Sequence, residues 1–145
     1  MWTLWLLACA SPKQPETDLS ALTVQILDVD DHPVQAELAR TREERHKGLM
    51  FRKHLGPNDG MLFLYNEEKP RSFWMKDTPL PLSAAYLDAK GVIVNIVDMP
   101  PFSTDSYPSL YPAQYVLEMN QGWFEENGVA RGDIVKNIPK VDVEP

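Results

Sequence analysis

Arg45, Trp74, Lys76, Asp77, Tyr107 and Glu118 are the side chains of this chain best equipped to bind or transform a ligand. Asp77 and Glu118 are the candidate catalytic carboxylates. If they converge on a cleft with Arg45, one can act as acid and the other as base, or the group can clamp a substrate. The plainer alternative is a structural ion pair that ties a short helix to the body of the domain. Trp74 and Lys76 stand two apart in "RSFWMKDTPLPL" and share a face if the run is extended. On an open face they would stack a sugar or a cation. Alternatively Trp74 packs under a loop and the Lys76 stem covers it. Tyr107 belongs to "MPPFSTDSYPSLYPA", residues 99–113, an aperiodic stretch of the length usually reserved for function or disorder. Phe102, Tyr107 and Tyr111 give it rings to pack or bind with, as a flap over the domain or a mobile surface loop.

Other chemistries find little support. Formal net charge is -7, which argues against a nucleic-acid surface. No Gly-x-Ser-x-Gly and no phosphate-cradling glycine loop occurs. His32, His46 and His54 lack metal-ligand spacing. The 6 methionines raise copper(I) ligation, yet methionine is also an ordinary core filler, and no metal or cofactor is assigned. Arg131-Gly132-Asp133 reads as a turn before a last strand.

The elements that must position these residues are mostly strands. "LTVQILDVD" alternates Leu22, Val24 and Ile26 against Thr23 and Gln25 and reads as a half-buried strand. "VQAELAR" puts Val34, Ala36 and Leu38 on one face. "TREERHKG" is a short helix, with Thr41 and Glu44 as a capping box and Gly48 just past its end. "GMLFLY", "RSFWMK", "LSAAYLD", "GVIVNIV", "AQYVLEM" and "RGDIVKNI" read as further strands, and "DAKG" as a hairpin turn. In "RSFWMK", Phe73 and Met75 make the better core pair, leaving Trp74 and Lys76 on the other face. In "YVLEMN", Glu118 alternates with Tyr115, Leu117 and Met119, so it belongs on a wet face or in a pair. "GWFEENG" reads as one or two helical turns. The fold class is mainly β: a single-domain barrel or sandwich with two short helices.

The N-terminus reads differently. Trp2 to Ala8 is apolar, and Leu6-Leu7-Ala8-Cys9 matches a lipoprotein signal in which Cys9, the 1 cysteine present, is lipidated after cleavage. The apolar run is too short to span a bilayer. The expected organisation is a signal segment over 1–8, a flexible tether over 9–20 and a β domain over 21–141. Ala10 and Ser11 lack the Asp that retains many lipoproteins at the inner membrane, which favours the outer one.

"LARTREERHKGLMFRKHL", "GMLFLY", "SFWMKDTPLPL", "YVLEMNQGW" and "NGVARGDIV" together resemble the domain-of-unknown-function 192 family over about residues 22–138. The resemblance implies one mainly β domain, often exported, and carries no reaction with it. The family usually has Asn at the position of Asp77 and Asp at that of Ser83. The expectation is a lipid-anchored binding module of the cell envelope. Its ligand would be a small molecule or envelope glycan, in a cleft lined by Trp74, Lys76, Asp77 and the 99–113 loop. The alternatives are a hydrolase-type enzyme using the Asp77 and Glu118 pair, and a structural envelope protein whose partner is another protein.

Overall fold

The structure is a computed structural model and describes residues 22–142. Cys9 and the expected signal and tether lie outside the described residues. Nine strands and two short helices follow one another as β1 (Val24–Val29), β2 (His32–Ala39), α1 (Arg42–Lys47), β3 (Asp59–Lys69), β4 (Ser72–Phe73), β5 (Leu82–Leu87), β6 (Ile93–Met99), β7 (Tyr107–Pro108), β8 (Ala113–Asn120), α2 (Trp123–Glu126) and β9 (Val135–Lys136). The protein is mainly β, as its sequence implies.

Seven strands form one curled sheet in the order β6-β5-β8-β3-β2-β1-β9. Neighbours run antiparallel except β2 and β3, which are parallel and joined through α1. Close to β9 the sheet nearly meets its own far edge. Val92 bridges Ile134, and Ile93 N–H donates to Asp133 O and Val135 N–H to Gly91 O, each at 2.9 Å. The result is a half-barrel joined along one rim.

Both faces of the central strands are buried, which is why "LSAAYL" and "MLFL" are continuous apolar runs rather than alternating ones. Leu62, Leu64, Leu117, Met119, Trp123 and Phe124 belong to the core on one face. Met61, Phe63, Met75, Ala84, Tyr86 and Val116 belong to a second core on the other. This second core is roofed by α1, the 70s turn and the 99–113 loop. Four of the methionines, Met61, Met75, Met99 and Met119, are buried in these two cores, where they act as packing.

The roof is held by specific contacts. Thr41 Oγ1 accepts from Glu44 N–H while the Glu44 carboxylate takes Thr41 N–H, so α1 begins with the expected capping box. Gly48 ends it with φ 47°, and a Cβ there would stand 3.2 Å from the Phe63 ring. The Tyr86 hydroxyl donates to Tyr107 O, and Leu110 N–H donates to Asn95 Oδ1 at 3.0 Å. Phe73 stacks edge-on against Phe63, with centroids 4.9 Å apart. The 99–113 stretch is therefore an ordered flap, pinned by the two-stranded β4–β7 ribbon.

Three expectations need correction. In β1 the buried residues are Leu27 and Val29, while Val24 and Ile26 are exposed. The register explains this: Leu27 pairs with Val34 and Gln25 with Ala36, so the phase that meets the β2 core face wins. "RSFWMK" is a strand only at Ser72–Phe73, because the chain turns at Lys76 and Asp77, where φ is 54°. Trp74 is not covered by the flap: it is 44% exposed, with Lys76 Nζ 5.5 Å from its ring centroid.

Candidate functional site

A cavity of about 590 Å³ lies between α1, the end of β3, the Arg71–Met75 segment and the sheet. Its position follows from strand periodicity. Met61, Phe63 and Tyr65 are spaced by two and project from one face of β3. Glu118 stands directly opposite Met61 on one side and Ala84 on the other, so it projects from that same face. Glu118 therefore lines the cavity together with Leu82, Phe63 and Met75 at its apolar end.

Glu118 is 4% exposed, and its carboxyl makes no hydrogen bond or ion pair among the described residues. It was expected on a wet face or in a pair, and it is in neither place. Removal from water without a compensating partner pushes its pKa up to about 8. At neutral pH the carboxyl is mostly protonated and can donate a hydrogen bond.

The wall nearer solvent is cationic. Arg45 and Arg71 both stack on Tyr65, with guanidinium carbons 5.0 and 3.8 Å from the ring centroid. Arg45 donates through Nη1 to Arg40 O and to Leu64 O, the latter at 3.2 Å. Arg71 donates from Nε to Ala113 O at 3.1 Å and from Nη2 to Glu67 O at 2.6 Å. All four acceptors are backbone carbonyls. Among the described residues neither guanidinium forms an ion pair with a carboxylate, although Glu67 acts on Arg71 at longer range. Burial, reinforced by Arg45, lowers the pKa of Arg71 despite the favourable influence of Tyr65. Burial raises that of Tyr65, against the pull of Arg71 and Arg45.

The structure thus brings Arg45, Trp74 and Glu118 to one cavity. Lys76, Asp77 and Tyr107 are not among its lining residues. Asp77 occupies a left-handed turn, and its backbone O accepts from Phe51 N–H at 2.8 Å. Asn and Asp tolerate that conformation better than most residues, which accounts for the residue type at this position. Ser83, the other departure from the family pattern, donates to Asp98 Oδ1 at 2.6 Å and accepts from Gly122 N–H at 3.0 Å, tying β5 to β6 and to the start of α2. Tyr107 sits on the flap and donates through its hydroxyl to Ser103 Oγ at 2.8 Å. Sequence reasoning missed Tyr65 and Arg71. The period-two series Met61, Phe63, Tyr65 contained a signal for the first; Arg71 reaches the site only because the chain folds back after β3.

The family model for DUF192, described as "Uncharacterized ACR", matches residues 25–137. A solved structure from Novosphingobium aromaticivorans DSM 12444, of a protein of unknown function, is 35% identical with a TM-score of 0.78, covering 82% of this chain and 89% of that one. A second, from Sinorhizobium meliloti 1021 and titled a "putative transcription regulator", is 36% identical with a TM-score of 0.72, covering 77% and 89%. No curated protein matches the chain.

Proposed function

We propose that this chain, which belongs to the DUF192 family, is a lipid-anchored envelope module that binds a small molecule in the cavity between α1 and the sheet. The observation that carries the reading is Glu118: a buried carboxyl without a protein partner, lining a cavity. Among the described residues only Arg40 Nε is a sealed side-chain polar atom without a partner, so the Glu118 oxygens open onto the cavity, where a ligand can take the hydrogen bond that no protein group makes. The volume of about 590 Å³ falls in the roughly 300–1,000 Å³ range of small-molecule sites. Trp74 in the lining gives a sugar ring a face to stack on, so a short envelope glycan fits the same reading.

The test is a thermal-shift panel of sugars, cell-wall fragments, organic acids and amino compounds on the full chain and on Glu118→Leu. A compound that raises Tm in the parent but not in the variant supports the reading. A flat response in the parent across the panel overturns it. The anchor is tested separately: incorporation of a fatty-acid analogue that Cys9→Ser abolishes supports it, and incorporation unaffected by that change refutes it.

One observation favours a catalytic reading. A cavity carboxyl with a pKa of about 8 suits general acid–base work near neutrality. Glu118 would then act without Asp77, and turnover of a bound compound that Glu118→Gln eliminates would decide for it. The regulator title belongs to the Sinorhizobium protein; a net charge of -7 gives no support to a nucleic-acid surface here.

A further inference from the structure

Building on the small-molecule reading, we infer that the cavity takes an organic anion with a hydrogen-bond acceptor at its far end. Its carboxylate or phosphate lies by Arg45 and Arg71, and its acceptor meets the Glu118 carboxyl. Donor accounting carries the first half. Arg45 spends only Nη1 on the protein, and Arg71 only Nε and Nη2. Arg45 Nε and Nη2 and Arg71 Nη1 therefore remain available on two guanidinium groups that flank one tyrosine ring and form no ion pair among the described residues. Glu67, the other carboxylate lining the cavity, is engaged by Lys69 at 2.7 Å. An anion there gains charge-assisted hydrogen bonds that no protein group supplies.

The second half follows from the opposite deficiency. No protein N–H or O–H reaches the Glu118 carboxyl among the described residues. An ionised carboxylate in that place would be a largely buried charge that accepts no hydrogen bond from the protein. The stable unliganded form is the acid, which carries a proton to donate and lacks an acceptor. The lining also includes Leu49, Phe63, Met75 and Leu82, which suit an apolar spacer.

The experiment is calorimetry on the full chain with a length series of oxo-carboxylates, from 4-oxopentanoate to 7-oxooctanoate. The matched primary amides and ω-amino carboxylates are run beside them. At the fitting length the oxo-acid should bind about tenfold tighter than its amide, the size of one charge-assisted hydrogen bond. Glu118→Gln keeps an N–H donor and should stay within about threefold of the parent, whereas Glu118→Leu should lose about tenfold. Amides that bind as tightly as the acids overturn the anion. An ω-amino series that binds best, and that Glu118→Gln abolishes, overturns the acceptor in favour of an ammonium. If none of these compounds binds but a neutral sugar or fragment shifts Tm, this inference falls and the small-molecule reading stands. If nothing shifts Tm, both fall. The comparison between ligands needs no variant, so a poorly folding substitution does not blunt it.

Discussion

Replacing Glu118 by Gln should make the protein more stable near pH 8 and should flatten its stability between pH 5 and 8. Unfolded, this carboxyl titrates near its ordinary 4.5; folded, burial moves it to about 8. Between those values the native state holds a proton that the unfolded chain has released. Stability therefore falls as pH rises through the window, at about 1.4 kcal/mol per pH unit for one proton. Across the whole interval the loss approaches about 5 kcal/mol, an upper limit comparable with the stability of many domains. Water entering the cavity beside the carboxylate would reduce it. Tyr65 on β3 and Tyr86 on β5 face the carboxyl and stay neutral in this range, since burial raises both. The assay is urea denaturation at half-unit steps from pH 5 to 8. The parent should lose ground to Glu118→Gln steadily from pH 5 upward, with the gap widest at pH 8. A parent profile that is flat, or a variant profile with the same slope as the parent, would show that Glu118 is already ionised in the folded state.

Other perturbations have expected outcomes of their own. Gly60→Ala places a Cβ 2.4 Å from Met119 Sδ and 2.6 Å from Glu118 O, where β3 and β8 pack; a loss of about 1–3 kcal/mol in denaturation follows. Tyr86→Phe leaves Tyr107 O without its hydroxyl donor. Stability should fall by about 1 kcal/mol, with faster hydrogen exchange in the flap as the local signature. Thr41→Ala removes one half of the α1 capping box and should cost about 1 kcal/mol, measurable by the shift in urea midpoint. Trp74→Ala, at a side chain 44% exposed, should change Tm little, and a large drop would place more of its ring in the packing than exposure indicates.

What the sequence made legible was local. The α1 capping box and Gly48 were readable because a cap depends on a few neighbouring residues. The face of β2 carrying Val34, Ala36 and Leu38 was readable because its alternation is uninterrupted. β1 was not, since Leu22, Val24, Ile26, Leu27 and Val29 offer two phases, and only pairing with β2 selects one. Glu118 shows the same limit at the site. Alternation correctly separated it from Leu117 and Met119, but the inference that the opposite face is wet failed. Whether a face is covered depends on α1 and the 99–113 flap, which are remote in sequence. Arg45, Trp74 and Glu118 could be named one at a time as residue types; their convergence, and the exclusion of Lys76, Asp77 and Tyr107, depend on the turn at Asp77.

The joined rim of the half-barrel also bears on how the chain avoids its neighbours. An unpaired strand edge offers a row of backbone donors and acceptors to any other chain that presents one. Here one short segment, Ile134–Lys136, pairs with Asp28 and Val29 of β1 on one side and with Val92 on the other, so it covers one end of each margin. Val24 and Ile26, exposed and outside the pairing with β9, flank the part of this edge that stays open. Proteolysis at the exposed Arg131–Gly132 turn should loosen this clasp and bare Asp28 and Val29, an outcome that size-exclusion chromatography would read as increased self-association through β1.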